Sequence, residues 1–464
     1  MDSSWANLHV AILSSPGMGH LIPVLLLGNR LATQHGVRVS VLLVTTAASP
    51  PVWELLKLPL HPLVQILELP PVDISHLIDS SAKVVTQLCL MVRESLPSIR
   101  AAMDPRPHAL FVDHFGTDAL HIAAEFNMPN YVYIPSNAWF TALLLHSPLL
   151  HQQIPGDYVD QTDPIQIPGC KPVRPEDLVD PMLDRKDQQY QEYLKVCTNI
   201  PLCDGVLINS WKDLEPKTIQ ALAENRIPVH PIGPLTREVE PGNRDSDLVR
   251  WLDRQPHESV VLVSFGSGGV LSQQQMTELA WGLELSRQRF IWVVRHPTQG
   301  AVDDAFFRVT NGHDDATLDY LPQGFLSRTQ NLGLLVPNWA PQAEILSHPA
   351  VGGFLSHCGW NSTLEGITNG LPLIAWPLYA EQKMNAALLA EEVGVALRPR
   401  ALPTSQVVGR EEIEMMVRAL MEGEQGRRLR GKARQLRMTA VEALKVGGPS
   451  HTTLCDLLAN ISST

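Results

Sequence analysis

Polar residues that can bind a charged ligand are concentrated in one stretch of the chain, residues 339–382. Within it, the apolar run 351–355 is typical of a buried parallel strand. A polar turn containing His357 and Asn361 follows, and a helix is expected to begin near Ser362. At such a junction the first N–H groups of the helix point outward, and the helix dipole adds partial positive charge. The stretch therefore predicts a site for a phosphate-bearing ligand.

The same residues also have ordinary structural interpretations. Ser362 and Glu365 have the spacing of a capping box, in which the two side chains only satisfy the start of the helix. His357 can be a hydrogen-bonded loop histidine, and Trp339 and Trp360 can belong to the core. The arrangement as a whole favours ligand binding, because each polar group suits a different part of a nucleotide diphosphate.

A second pair of reactive residues, His20 and Asp113, follows two apolar runs, 8–14 and 109–112, that are expected to be buried strands. Ligands bind at the carboxyl ends of strands in parallel sheets, so the two side chains can meet at one sheet edge. A carboxylate that holds one imidazole nitrogen leaves the other able to take a proton. The ordinary histidine pKa of about 6.5 suits that task near neutral pH. The pair therefore predicts general-base chemistry on a substrate hydroxyl.

This pair has structural alternatives too. His20 can be a loop residue that caps the helix expected over residues 21–34, and Asp113 can be a turn residue. Asp118, about one turn into the next helix, competes with Asp113 as the partner of the imidazole.

A glycine-rich turn, residues 265–269, forms a second junction of the phosphate-binding kind, between a predicted strand and a predicted helix at 273–287. Ser267 in this turn can contact a phosphate. The glycines can equally serve a tight turn that requires positive φ angles.

Strands alternate with helices along both halves of the chain, which is the pattern of doubly wound parallel sheets. The predicted strands are residues 8–14, 37–44, 64–67, 109–112, 131–134, 259–264, 290–294, 334–337 and 351–355. Because 464 residues exceed what one core usually serves, we expect two Rossmann-like α/β domains, residues 1–236 and 248–445. The charged, aperiodic segment 237–247 is predicted to link them.

Composition argues against several classes of function. A net charge of −12 without a basic stripe argues against a nucleic-acid partner. The 6 cysteines form no CxxC pair and no cluster has metal-ligand spacing, so neither a disulfide framework nor a metal is expected. The N-terminus lacks the basic segment of a secretory signal, and no apolar stretch has membrane-spanning length. We therefore expect a cytoplasmic protein without a membrane partner.

The stretch 339–382 resembles, nearly position for position, the signature segment of plant UDP-sugar-dependent glycosyltransferases of family 1. PGMGHLIP around His20 and LFVDHFGTD around Asp113 resemble the catalytic-histidine and aspartate segments of that family. Together with VSFGSGG and WPLYAEQKMNA, they are most similar to hydroquinone and monolignol-type phenol glucosyltransferases. The resemblance covers essentially the whole chain. It implies a GT-B architecture, two Rossmann-like domains facing a cleft, with a C-terminal helix (446–464) that returns to the acceptor-binding N-terminal domain.

Each residue of the predicted donor site is assigned to one part of a UDP-sugar. Trp339 offers a stacking face for uracil, a contact worth about 1–3 kcal/mol in nucleic-acid binders, and the backbone of Ala340 can pair with the uracil edge. The other assignments are Glu365 and Gln342 for the ribose, Ser267, His357, Asn361 and Ser362 for the phosphates, and, from the resemblance, Trp360, Glu381 and Gln382 for the sugar. A terminal glutamine in this block accompanies glucose preference in many relatives. Without the resemblance, Glu381 and Gln382 are typical of a solvated helix start.

The resemblance implies inverting transfer of glucose from UDP-glucose to a small aromatic hydroxyl acceptor in plant secondary metabolism. His20, held by Asp113, would deprotonate the acceptor, and helix N-termini with His357 would stabilise the leaving diphosphate without a metal or other cofactor. We expect a monomer. The alternatives are a UDP-sugar epimerase of the same architecture, a UDP-sugar-binding sensor, and transfer of another sugar or to a nitrogen, sulfur or carbon acceptor.

Overall fold

The computed structural model describes residue 5 and residues 7–45, 59–79, 81–237, 247–297 and 320–463. The chain divides into two compact units, the first made of Met1–Leu235 with Glu442–Thr464 and the second of Thr236–Val441. The predicted linker 237–247 lies outside the described residues except at its two ends. In the described ranges, no helix combines the length and the apolar character needed to cross a bilayer.

The first unit is built on a parallel sheet of seven strands in the order β3-β2-β1-β4-β5-β6-β7. The strands are β1 (His9–Ser14), β2 (Arg38–Leu43), β3 (Val64–Glu68), β4 (Ala109–Asp113), β5 (Asn130–Ile134), β6 (Gly205–Ile208) and β7 (Val229–Pro231). The α-helices of this unit that precede residue 235 are α1 (Met18–His35), α2 (Val84–Glu94), α3 (Leu96–Ala101), α4 (Leu120–Glu125), α5 (Ala138–Gln153), α6 (Gln188–Asn199) and α7 (Pro216–Ala223). Apart from the half-buried His9 at the start of β1, the central strands are fully buried and rich in Val, Leu and Ile, as parallel sheets covered on both faces require.

The second unit contains a parallel sheet of six strands in the order β10-β9-β8-β11-β12-β13. The strands are β8 (Val260–Ser264), β9 (Arg289–Val294), β10 (Gly333–Pro337), β11 (Val351–Ser356), β12 (Leu373–Ala375) and β13 (Ala396–Leu397). The α-helices are α8 (Asp247–Leu252), α9 (Gln273–Ser286), α10 (Phe325–Thr329), α11 (Gln342–Ser347), α12 (Trp360–Thr368), α13 (Gln382–Ala387), α14 (Arg410–Met421) and α15 (Glu424–Leu444).

The chain ends in helix α16 (Pro449–Ser462), which belongs to the first unit. Its buried face, Leu454, Leu457, Leu458 and Ile461, packs in the same core cluster as the apolar residues of β1 and α1. The hydroxyl of Ser450 also donates a hydrogen bond of 2.6 Å to the carbonyl oxygen of Gly233. The C-terminal helix therefore returns to the N-terminal domain, as predicted.

Each sheet reverses its strand order at one position, and these two positions locate the predicted sites. In the first sheet the reversal falls between β1 and β4, which pair with Leu13 opposite Val112. In the second it falls between β8 and β11, which pair with Ser264 opposite Ser356. Open parallel sheets bind ligands at the carboxyl ends of the strands at such a switch point. The residues that follow these four strands are therefore the ones placed to bind ligands.

Two helices begin earlier than the sequence predicted. Helix α1 begins at Met18 rather than residue 21, because Gly17 before it has a φ of 101°, a conformation that glycine adopts far more readily than other residues. Helix α12 begins at Trp360 rather than near Ser362, with Gly359 as its N-cap and no side-chain capping bond. The capping-box interpretation of Ser362 and Glu365 is therefore wrong.

Candidate active site

His20 and Asp113 lie at the switch point of the first sheet, and their side chains meet. Nδ1 of His20 is 3.4 Å from Oδ2 of Asp113, which is an ion-pair distance. Asp113 is completely buried, whereas the His20 side chain is 14% exposed. The Nδ1 atom is buried and makes no hydrogen bond with the described residues, so its contact with Asp113 is electrostatic. Because Nδ1 faces Asp113, Nε2 is the nitrogen that remains available for a substrate.

The Asp113 carboxylate is fixed by the backbone around it. Its Oδ2 accepts hydrogen bonds from the N–H of Ser15, at 2.8 Å, and from the Ser15 hydroxyl. Its Oδ1 accepts a bond of 3.0 Å from the N–H of Phe115 and so caps the 3-10 helix His114–Ala119. Asp113 is both a turn residue and the neighbour of His20. The turn uses its Oδ1 atom, and the contact with His20 uses Oδ2.

Asp113 is held in its ionised form. Complete burial alone would raise the pKa of Asp113, but the adjacent imidazole of His20, with His114 and Ser15, brings it below its ordinary value. A carboxylate in this state can orient an imidazole and stabilise the imidazolium that forms when the ring takes a proton.

Asp118, the competing aspartate, belongs to a different cluster. Its carboxylate is 2.9 Å from Nε of Arg93 and 2.9 Å from Nζ of Lys195, and it accepts a further bond of 3.2 Å from Nδ2 of Asn199. Burial would raise the pKa of Asp118, but Lys195 and Arg93 lower it below the ordinary value. Asp118 therefore forms a structural ion-pair network with residues of α2 and α6.

His114 is a residue of this site that sequence reasoning missed. Its ring centroid lies 5.2 Å from that of His20, 4.1 Å from that of Phe115 and 5.7 Å from that of Phe140. Burial, with a smaller contribution from His20, lowers the pKa of His114 to about 3, so the ring is neutral. In the sequence, His114 is distinguished only by its position directly after Asp113. His114 supplies a neutral aromatic wall against the imidazole of His20.

In the second unit, Gln342 connects the end of strand β8 to helix α12, which follows β11. Its Oε1 accepts a hydrogen bond of 3.0 Å from the hydroxyl of Ser264, the last residue of β8. Its Nε2 donates to Oγ of Ser362 at 2.9 Å and to Oε2 of Glu365 at 2.7 Å. Burial raises the pKa of Glu365, and Gln342 and Arg237 offset part of the rise. The network holds Glu365 by one oxygen and leaves the second as an acceptor for ligand hydroxyls.

The turn after β11 holds His357 between two glycines. A Cβ atom on Gly266 would lie 2.4 Å from Cε1 and Nε2 of the His357 ring, and a Cβ on Gly359 would lie 2.4 Å from Nε2. Gly266 also has a φ of 73°, a conformation that disfavours side chains. Both glycines are therefore required by the close approach of this imidazole.

The His357 ring is neutral. It is buried, and its burial, with the charge of Arg295, lowers its pKa to about 3. Its Nδ1 is buried and has no hydrogen-bond partner in the part of the chain that the structure describes. His357 can therefore offer an N–H donor to a diphosphate, but not the positive charge of an imidazolium.

Arg295, which directly follows β9, is a second residue that sequence reasoning missed. Its Nε donates a bond of 3.0 Å to the carbonyl oxygen of Asn338, and its Nη1 donates one of 3.3 Å to that of Gly269. The guanidinium thus ties the glycine-rich turn to the residue before Trp339. It also places a cation at the sheet edge where the phosphates are expected. The sequence feature that could have identified Arg295 is its position at the carboxyl end of a buried strand.

The predicted sugar-binding residues are also held in place. Gln382 is buried, and its Oε1 accepts bonds from the N–H groups of Leu378, at 3.0 Å, and Tyr379, at 3.2 Å. The Nδ2 of Asn385 donates to Oε1 of Glu381 at 3.3 Å and to the carbonyl oxygen of Cys358 at 2.9 Å. The alternative of a solvated helix start is wrong for Gln382, because its side chain is used inside the turn.

The remaining predicted residues differ in exposure. Trp339 is 63% exposed, so its ring is available for stacking, and Ala340 beside it is buried. Trp360 and Ser362 are buried in the first turn of α12, Asn361 between them is half-buried, and Ser267 is exposed in the glycine-rich turn.

Three non-glycine residues with positive φ lie beside predicted donor residues. They are Asn338 (φ 62°) before Trp339, Cys358 (φ 65°) after His357 and Ala380 (φ 57°) before Glu381. Such backbone conformations cost about 1–3 kcal/mol and cluster at ligand sites, where the surrounding contacts impose them. All three follow strands at the carboxyl edge of the second sheet, where donor binding is predicted.

The chain is similar to known proteins in both sequence and structure. Residues 242–423 match the family model described as UDP-glucoronosyl and UDP-glucosyl transferase. The chain is 52% identical to anthocyanidin 3-O-glucosyltransferase 5 of Manihot esculenta over 462 residues, covering 97% of this chain and 94% of the relative. It is 43% identical to hydroquinone glucosyltransferase of Rauvolfia serpentina over 469 residues, covering 98% and 99%. The structure of Phytolacca americana UGT2 complexed with UDP-2fluoro-glucose and pterostilbene matches with a TM-score of 0.87 at 40% identity, over 98% of this chain and 100% of that one.

Proposed function

The chain belongs to the UDP-glucoronosyl and UDP-glucosyl transferase family and is a UDP-glucosyltransferase of GT-B architecture, and we propose that it glucosylates small phenols with inversion and without a metal ion. The donor would be UDP-glucose and the product a β-O-glucoside. The observation that carries the proposal is the His20–Asp113 pair, since it leaves Nε2 of a histidine as a base beside a buried carboxylate.

The proposed reaction combines a proton transfer with the making of one bond and the breaking of another at the anomeric carbon. Nε2 of His20 takes the proton of the acceptor hydroxyl, and Asp113 stabilises the resulting imidazolium. The acceptor oxygen attacks the anomeric carbon of glucose from the face opposite UDP. The bond from that carbon to the diphosphate oxygen breaks, and UDP leaves with the electron pair. Attack from the opposite face converts the α-linked donor to a β-glucoside.

Donor binding would use the carboxyl edge of the second sheet. Trp339 would stack on uracil, and Glu365, positioned by Gln342, would accept from the ribose hydroxyls. The groups proposed for the other parts are the Ala340 backbone for the uracil edge, Ser267, His357, Asn361 and Ser362 for the diphosphate, and Trp360, Glu381 and Gln382 for glucose. Support comes from the hydrogen bonds that fix Gln342 and Gln382.

Departure of UDP is proposed to need no divalent cation. The N–H groups at the start of the nine-residue helix α12, the neutral His357 and the cation of Arg295 together provide donors and positive charge for the leaving diphosphate. Preorganised donors of this kind stabilise developing charge because they need not reorient during the reaction.

The acceptor is proposed to be a small phenol. The relatives named for anthocyanidin and hydroquinone glucosylation are similar over nearly the whole chain. Chemically, a phenol with a pKa near 10, by analogy with tyrosine, needs less assistance from a base than an aliphatic alcohol. The aromatic rings of Phe115 and Phe140 beside His114 offer apolar surface close to the base.

The proposal is tested by incubating the protein with UDP-glucose and a panel of phenols, with a chelator present, and analysing products by mass spectrometry and NMR. We expect a phenol monoglucoside with a β linkage, formed equally well with the chelator. Conversion of UDP-glucose to another UDP-sugar without glycoside would instead indicate an epimerase. Binding of UDP-glucose without any turnover would indicate a sensor. An α linkage would overturn inversion.

A further inference from the structure

Three side chains that are far apart in sequence converge in the first unit, away from the residues used above. His35 is the last residue of α1, and His451 and Cys455 lie one turn apart on the terminal helix α16. Among the described residues, one ligand atom from each of the three lies within 4.8 Å of the other two. His35 is buried and the other two are half-buried, so the cluster is enclosed but reachable.

The two sulfur–nitrogen separations within the cluster are close to those of a tetrahedral metal site. Sγ of Cys455 is 3.6 Å from Nδ1 of His451 and 3.9 Å from Nδ1 of His35. Zinc bonds of about 2.3 Å to sulfur and about 2.0–2.1 Å to nitrogen place the two ligand atoms about 3.6 Å apart at a tetrahedral angle. The three ligand atoms lie within 4.8 Å of one another, so His35 would move inward when a metal binds.

The other contacts of the two imidazoles are weak enough to yield to a metal. Nδ1 of His451 accepts from the N–H of Gly447 at 3.4 Å, a long bond. Nε2 of His35 is buried and has no hydrogen-bond partner among the described residues, so no bond at that atom opposes a movement of the ring. The rings of His35 and His451 lie 5.1 Å apart at 37°, so they are not held by face-to-face stacking.

We propose that His35, His451 and Cys455 form a binding site for Zn²⁺ or a similar borderline-soft divalent cation. Two imidazoles and one thiolate suit such an ion, and a water molecule or another small ligand would complete the coordination. The thiol loses its proton to solvent when the metal binds. The site is structural and separate from glucosyl transfer, which is proposed to need no metal.

Binding at this site would connect α1 to the terminal helix. Its ligands are separated by as many as 420 positions in sequence, so only the folded first unit brings them together. An ion that binds the folded state and not the unfolded one raises thermal stability by mass action. The expected consequence is a terminal helix that is more firmly held on the first unit.

The test is thermal unfolding of the full chain after removal of metal, titrated with ZnCl₂, in the wild type and in Cys455→Ser and His451→Gln. Cys170→Ser serves as the control, because Cys170 is also a half-buried cysteine of the first unit outside the cluster. We expect one equivalent of Zn²⁺ to raise Tm in the wild type and in Cys170→Ser, and not in the two cluster variants. An equal rise in Cys455→Ser, or none in the wild type, would overturn the proposal.

Cobalt substitution gives a second readout that does not depend on stability. Co²⁺ added to the metal-free wild type should produce a tetrahedral visible spectrum with a thiolate charge-transfer band, and Cys455→Ser should lose that band. A spectrum without the band in the wild type would reject the thiolate ligand, even if a variant failed to fold. Glucoside formation measured in parallel, with and without Zn²⁺, should not change, which separates this site from the proposed reaction.

Discussion

Nδ1 of His20 stands 3.4 Å from Oδ2 of Asp113, the same oxygen that accepts two hydrogen bonds from Ser15. The carboxylate is therefore held by the backbone of the first strand and is directed at the helix that follows it. Since β1 and β4 are neighbours at the switch point of the sheet, the topology itself brings the two residues together. This relationship leads to predictions about the base, its partner and the donor site.

Asp113→Asn should reduce turnover far more than Asp118→Asn. The first change removes the charge that stabilises the imidazolium, and we expect a loss of about 10²-fold or more. The second disrupts only the ion pairs with Arg93 and Lys195, so turnover should change by less than about threefold, with a small decrease in Tm. Steady-state kinetics with UDP-glucose and hydroquinone provide the measurement. Similar losses in both variants would mean that the partner of His20 is misassigned.

Trp339→Ala should weaken UDP binding without destabilising the protein. Loss of a base–aromatic stack costs about 1–3 kcal/mol, which corresponds to a rise in Kd of roughly 5- to 150-fold. The side chain is 63% exposed, so Tm should be nearly unchanged. Trp339→Phe is the matched control and should retain most of the affinity. Calorimetric titration with UDP measures both, and an unchanged Kd for Trp339→Ala would remove Trp339 from the site.

Gly266→Ala should impair donor binding, whereas Gly431→Ala should not. The new methyl group at position 266 would lie 2.4 Å from the ring of His357, and the φ of 73° would add strain. A methyl group on Gly431, within α15, meets no atom within 4 Å and should be neutral or slightly stabilising. The KM for UDP-glucose is the quantity to compare. Equal KM values would show that the position of His357 does not matter for the donor.

His114→Leu should make thermal stability less dependent on pH. In the folded state the pKa of His114 is about 3, whereas an unfolded histidine titrates near 6.5. As pH falls below about 6.5, the unfolded chain takes up a proton that the folded chain does not, so stability falls by about 1.4 kcal/mol per pH unit for such a group. His357, with a pKa of about 3, contributes in the same direction.

The measurement is Tm between pH 7.5 and about pH 5 for the wild type and His114→Leu. Replacing the exposed His121 by glutamine is the control and should leave the slope unchanged. The leucine variant should lose less stability on acidification than the wild type. A slope equal to that of the wild type would show that His114 is protonated in the folded protein.

Local sequence patterns were sufficient to predict the strand–turn–helix junctions. Runs such as residues 8–14 and 351–355 are strongly apolar and are bounded by polar turns, so their strands were placed within a residue or two. The starts of α1 and α12 were misplaced because they depend on glycines. The backbone angles of Gly17 and the contact of Gly359 with His357 are set by tertiary structure, which the spacing of residues does not reveal.

Residues that act through long-range contacts could not be predicted in the same way. His114 was missed because its neutrality arises from burial among Phe115, Phe140 and His20. The cluster proposed to bind a metal could not be inferred from local spacing, because His35 lies on the first helix and its partners lie on the last. Ser362 and Glu365 have the spacing of a capping box, but both side chains accept hydrogen bonds from Gln342 instead of capping the helix.

The most direct test is the turnover number of His20→Ala with UDP-glucose and hydroquinone at saturation, accompanied by its Kd for UDP. Loss of the general base should lower turnover by about 10²- to 10⁴-fold. Since His20 lies in the first unit and the donor residues in the second, the Kd for UDP should stay at the wild-type value. Turnover equal to that of the wild type would contradict the assignment of His20 as the base.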